Sequence, residues 1–185
     1  MPDINFYYLE EATLSNLKRI FMSSDFPFVR LSKFFLDIES VDSSPKLKDD
    51  ENIGYFKRKK GSAILEDFWK STKFTDFLRN VTGLDSQFSS AHHLSYSAGD
   101  YSLLHMDESE PKRLAVVYDF TKQWRLEWGG YDIYTSPDKE PLICNRDYGS
   151  LMIVKLDKGD LSCTRYVSLK SKNDAVIDFA TYLLD

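Results

Sequence analysis

The chain changes texture at Gly83. Before it, apolar residues recur at helical spacing; after it, they fall into short runs separated by turn residues. These runs occupy 87–96, 101–105, 114–120, 131–135, 150–156, 161–169 and 175–184. Short runs rich in Val, Ile, Tyr and Phe, punctuated this often, predict antiparallel strands. Helices first and many strands afterwards predict an α+β fold whose main body is an antiparallel sandwich or barrel. With 185 residues there is enough chain for one domain with a sizeable core. No internal repeat or low-complexity stretch divides it, so a single domain spanning 1–185 is expected: helical support over 1–84 and a β-barrel core over 85–185.

Within the first part, an apolar start from Ile4 to Leu9 precedes a helix from about Glu10 to Ser23, with Leu14, Leu17, Ile20 and Phe21 on one face. Phe28 to Leu36 is strand-like. Residues 39–61 are polar and carry Asp49-Asp50-Glu51 and then Lys57-Arg58-Lys59-Lys60, which reads as a mobile loop whose acids screen its bases. Helical spacing returns at Ile64, Leu65 and Phe68, and again at Phe74, Phe77, Leu78 and Val81, where Gly83 is placed to end the helix.

Several function classes drop out on composition. Acidic groups outnumber basic ones 29 to 24, a formal net charge of −5, so no general attraction to nucleic acid or anionic membrane is expected. No run approaches the ~18 apolar residues of a membrane span, and the start lacks the basic-then-apolar order of a secretory leader. Cys144 and Cys163 are expected as thiols in a cytoplasmic protein. Three histidines and two cysteines exclude a Cys/His zinc module. The histidines stand at 92, 93 and 105, and none follows.

One group has metal-ligand spacing. On a strand, residues i and i+2 face the same way, so His105 and Asp107 can converge on one ion. With a second histidine they would form the two-His, one-carboxylate face that holds non-heme iron(II) with open positions. Alone, this pair is a weak signal, because polar residues are common at strand ends.

The surroundings strengthen it. The run Tyr96-Ser97-Ala98-Gly99-Asp100-Tyr101-Ser102-Leu103-Leu104-His105-Met106-Asp107 resembles the strand–turn–strand entry to the iron site of prolyl-hydroxylase-like 2-oxoglutarate/iron(II) oxygenases. Arg113 to Tyr118 is similar to that family's next core strand. Trp124-Arg125-Leu126-Glu127-Trp128-Gly129-Gly130 resembles its W-x-x-E-W-G-G turn, and Tyr148 to Val154 its strand before the distal ligand. Trp69 to Leu84 is similar to the helix before the barrel in the ribosomal-protein prolyl hydroxylase branch. The resemblance covers roughly residues 62 to 183. It implies a double-stranded β-helix, a cupin-like jelly-roll barrel backed by N-terminal helices. It also implies iron(II) and 2-oxoglutarate as cofactors, with His105 and Asp107 as metal ligands and Tyr96 facing the co-substrate.

Two expected groups are missing. The family's distal histidine precedes a valine on a late strand, where this chain reads Leu161-Ser162-Cys163-Thr164-Arg165-Tyr166-Val167-Ser168-Leu169. Aligning on Val167 puts Arg165 at the histidine; an ungapped alignment from the preceding strand puts Cys163 there. Both would face inward with Val167 and Leu169. The family's basic residue for the far carboxylate of 2-oxoglutarate should follow on the last strand, but Asn173 to Ala180 contains none.

Three outcomes are therefore open. A divergent hydroxylase, acting on an amino acid, a peptidyl residue or a small metabolite, would complete its site with His92, which shares strand parity with Leu94 and Tyr96, or with Cys163; Arg113 or Arg165 would then hold a carboxylate. An inactive relative would instead bury Arg165 against Asp107 where the metal would be, since a guanidinium cannot ligate a cation. A binding module would use the aromatic-rich barrel for a small carboxylate or a peptide, with Arg165 as counter-charge. Oligomeric state is left undetermined by the sequence.

Overall fold

A computed structural model describes residues 2–39, 45–106 and 112–184, with positions 105 and 106 treated by backbone alone. Among the described residues, the helical elements are a 3-10 turn at Phe6–Leu9, α1 (Glu11–Ser23), α2 (Glu66–Trp69) and α3 (Thr72–Thr82), with a second 3-10 turn at Leu126–Trp128. The reasons are local for α3. Ser71 caps its start by accepting a hydrogen bond from the Phe74 N–H at 3.3 Å. Gly83 ends it at φ 72°, donating its N–H to Arg79 O at 2.8 Å. Phe74, Phe77, Leu78 and Val81 are buried on one face, as their spacing predicts.

The strands are β1 (Phe28–Leu31), β2 (Lys48–Asn52), β3 (Phe56–Ser62), β4 (Ser86–Tyr96), β5 (Tyr101–Ser102), β6 (His105–Met106), β7 (Arg113–Asp119), β8 (Asp132–Ser136), β9 (Lys139–Cys144), β10 (Leu151–Leu156), β11 (Leu161–Thr164) and β12 (Ala175–Leu184). The larger sheet runs β1-β10-β7-β12-β4-β3-β2, with β5 beside β3; the smaller runs β6-β11-β8-β9. Every pairing is antiparallel. This is the jelly-roll arrangement expected from the motifs.

Side-chain alternation divides the larger sheet between two cores. On β7, Leu114, Val116 and Tyr118 join the helices, packing in one cluster with Trp69, Phe74 and Phe77. Ala115 and Val117 turn the other way, into the barrel, with Leu94, Tyr96, Ile177 and Tyr134. A strand covered on both faces has no polar side, which is why Leu114 to Tyr118 reads as a continuous apolar run.

Three expectations change. Residues 39–61 are not a loop throughout: β2 and β3 pair in register, with Asp49 opposite Lys59, Asp50 opposite Arg58 and Glu51 opposite Lys57. The charges that suggested a solvated loop are cross-strand complements, and with β1 this hairpin brings the first half of the chain into the barrel sheet. The run 101–105 splits where the chain crosses from one sheet to the other, β5 pairing with β3 and β6 with β11. The strand expected over 161–169 stops at Thr164, because the Gly129-Gly130 turn takes over the backbone bonding. Gly130 N–H donates to Arg165 O at 3.0 Å and Ser168 N–H to Trp128 O at 2.8 Å. Gly129 sits at φ 71°, and a Cβ there would lie 2.1 Å from Tyr166 O, so this close approach requires glycine.

Candidate functional site

Between the sheets lies a cavity of about 180 Å³. The larger sheet contributes His92, Leu94 and Tyr96 from β4, Arg58 from β3, Arg113 from β7, and Ile177, Phe179 and Thr181 from β12; the smaller adds Asp132, Tyr134, Ser162, Cys163 and Thr164. The lining therefore combines cations and hydroxyls with an apolar wall.

Its floor is a buried ion pair. Arg146 donates to both oxygens of Asp132 at 2.9 and 2.7 Å and to Gly130 O at 2.7 Å, with its side chain only 2% exposed. Thr164 adds a hydroxyl donor to Asp132 at 2.9 Å. Burial opposes the charge on Arg146, but Asp132 and then Asp119 outweigh it and hold the guanidinium firmly protonated.

Arg58 reaches the cavity from the hairpin. It donates from Nε to Asp50 at 2.8 Å and from Nη1 to the Tyr96 hydroxyl at 3.4 Å, with its guanidinium 4.3 Å from the Phe56 ring centroid. Burial works against its charge, yet Tyr96 and Asp50 raise its pKa above the ordinary guanidinium value. Tyr96 is 2% exposed. His92 is held below its ordinary 6.5, first by burial and then by Lys60 and Arg58, which favours its neutral form. Its neighbour His93 faces the helices, 2.7 Å from Asp178, and takes no part in the cavity.

Strand β11 sets the third-ligand question. Ser162 and Thr164 pair with Tyr134 and Asp132, whose side chains face the barrel; Cys163 pairs with Ile133, on the opposite face. Of the two candidates for the distal ligand, Cys163 borders both the cavity and an outer groove, and Arg165 borders the outer groove alone. Arg165 is exposed, 5.7 Å from the Tyr131 ring centroid and lining an outer groove with Leu103, Leu104 and Tyr166. The buried Arg165–Asp107 pair is thus corrected on the Arg165 side; Asp107 lies outside the described residues. Leu169, expected inward, is 76% exposed. Burial pushes the Cys163 thiol up from its ordinary 9.0.

Position 105 on β6 pairs directly with Ser162 on β11. Ser162 lines the cavity and presents a neutral hydroxyl there. Among the described residues no three His, Cys, Asp or Glu side chains cluster to hold a metal. Among the described side chains, His92 is an imidazole on the cavity wall; Asp107 lies outside the described residues.

Ser162, Arg58, Asp132 and Arg146 were not singled out from the sequence. The alternation Phe56, Arg58, Lys60 was a usable signal for a strand with one half-buried face. For Arg146, an isolated residue between strands, there was none.

Solved structures of one class share this architecture. A 2OG-Fe(II) oxygenase family oxidoreductase from Burkholderia pseudomallei is similar with a TM-score of 0.71 at 10% identity, over 92% of this chain and 90% of that one. A Pseudomonas putida prolyl-4-hydroxylase gives 0.67 at 11% identity, over 92% and 98%. A Trichoplax adhaerens prolyl hydroxylase, solved with a hypoxia inducible factor peptide fragment, gives 0.65 at 10% identity, over 98% and 93%. At such identities the likeness shows the fold, a jelly-roll of the 2-oxoglutarate oxygenase type. A comparison with curated proteins finds no match. Residues 33–181 match a family model, and the chain belongs to that family, described as "Oxoglutarate and iron-dependent oxygenase degradation C-term".

Proposed function

We propose that this chain is a single oxygenase-fold domain that binds a small carboxylate in its barrel without turning it over. The observation that carries the reading is Ser162, a hydroxyl on the strand position paired with His105. A hydroxyl is a weak ligand for iron(II), and imidazole is the donor such a site needs. The far-carboxylate anchor is absent as well, since β12 offers only Ile177, Phe179 and Thr181 to the cavity. What the barrel keeps is the cavity, with Arg58, Arg113 and His92 on its walls. A cytoplasmic location suits Cys144 and Cys163, which are both free thiols, and no helix among the described residues is long and apolar enough to cross a membrane.

The hydroxylase alternative draws on His92, which shares the cavity with Ser162. Iron(II) and 2-oxoglutarate, with succinate measured against a His105→Ala control, separate the two. Equal, background succinate from both proteins is expected. Succinate from the wild type alone would overturn the binding reading and restore the enzyme.

A further inference from the structure

We propose that the carboxylate receptor of this barrel is the β2–β3 hairpin: Arg58 grips the ligand against the Tyr96 hydroxyl, and Asp50 is a built-in competitor that the ligand displaces. This rests on the carboxylate-binding reading above and adds where the ligand is held and what tunes its affinity.

Arg58 lines the cavity and is held in a defined geometry. Phe56 lies beneath its guanidinium at 4.3 Å, Tyr96 fixes Nη1 at 3.4 Å, and its side chain is 18% exposed. A guanidinium has five donors in a rigid fork suited to two-point binding of a carboxylate. Asp50 engages that fork at one point only, Nε to Oδ2 at 2.8 Å. Its own side chain is 29% exposed, so solvent screens the pair. A second carboxylate arriving from the cavity can make both bonds in a drier setting, and Asp50 can rotate into water. The existing pair is an intramolecular copy of the ligand contact, made imperfectly.

The cavity defines the rest of the ligand. At about 180 Å³ it is close to a cavity of about 150 Å³ that accepts benzene, so a ligand of roughly six to ten non-hydrogen atoms fits. Leu94, Ile177 and Phe179 receive an aliphatic stem. The chemistry is that of a short-chain mono- or dicarboxylate, with its head toward β3 rather than β12.

The test is calorimetric titration of succinate, 2-oxoglutarate and butyrate into metal-free protein, with the unliganded melting temperature of each variant recorded. Asp50→Asn is expected to bind the preferred acid about three- to tenfold more tightly than wild type. Arg58→Gln is expected to lose about tenfold or more, and Tyr96→Phe to weaken binding without unfolding the barrel. Tighter binding in Asp50→Asn cannot come from damage to the fold, so that variant decides the matter even if Arg58→Gln does not fold. Carboxylate binding that is unchanged in Asp50→Asn overturns the hairpin assignment while leaving the binding reading intact. Absence of binding to all three acids, in wild type and Asp50→Asn alike, overturns both.

Discussion

Ser162 on β11 is the direct antiparallel partner of His105 on β6. Two sequence registers compete for the distal-ligand position, Cys163 and Arg165, and both differ in strand parity from Ser162. Ser162 lines the cavity with Thr164 and Tyr134, whereas Arg165 lies in the outer groove.

Restoring an imidazole at this position should restore metal affinity. Ser162→His is expected to show a nickel(II)- or cobalt(II)-dependent rise in melting temperature that wild type lacks, because a metal bound only by the native state stabilises it by mass action. Adding His105→Ala should abolish the rise. A metal-dependent shift in wild type equal to that in Ser162→His would mean that another group, His92 first, already closes the site.

The floor of the cavity carries a second prediction. Removing one partner from a buried ion pair leaves an uncompensated charge and costs about 3–5 kcal/mol. Arg146→Met should therefore destabilise the protein by that order in urea melts, since it strands Asp132 beneath the cavity. Arg79→Met, at an exposed helix position beside Asp76 and Asp85, should cost at most about 1 kcal/mol. Comparable losses at both sites would show that Asp132 is not isolated from water.

Much of the fold was legible because its signals are local. Ser71 and Gly83 bracket α3, and the apolar run over Leu114 to Tyr118 announces a strand covered on both faces. The site was less legible because it depends on facing. A one-residue shift reverses every side chain of a strand, and the early end of β11 at Thr164 shifts the parity inferred from Val167. The β2–β3 hairpin was hidden for another reason: its strands are charged, and their compensation is visible only once Asp50 is seen opposite Arg58. Arg146 gains its role from tertiary contact alone.

Asp178 joins the helical and barrel layers. Its carboxylate accepts from the backbone N–H groups of Ile64 and Leu65 at 3.2 and 2.8 Å and from the Trp69 indole at 3.4 Å, and sits 2.7 Å from His93 Nδ1. Those donors precede or belong to α2, so one fully buried side chain on β12 anchors that helix. Asp178→Ala leaves several buried donors unpaired at about 1–3 kcal/mol each. The expected result is a large loss of stability with an altered Trp69 emission. A change below about 1 kcal/mol, with the emission spectrum preserved, would show that solvent replaces the carboxylate.

His92 gives the cavity a pH dependence with a sign that separates its two candidate roles. Burial, Lys60 and Arg58 lower its pKa from 6.5, against smaller opposing effects of Asp50 and Glu66. A depressed pKa contributes stability that is present above 6.5 and lost as pH falls through the folded value. A carboxylate bound in the cavity supplies the negative charge that position lacks, raises the His92 pKa and takes up a proton on binding. Carboxylate affinity should therefore rise as pH is lowered from about 8 to about 6, the range in which imidazoles titrate. His92→Gln should flatten that rise. Metal ligation requires neutral imidazole, so metal affinity through His92 would fall over the same range. Titration of succinate across this range, in wild type and His92→Gln, reads the slope directly. A slope that is flat in wild type, or identical in the variant, would remove His92 from the ligand's surroundings.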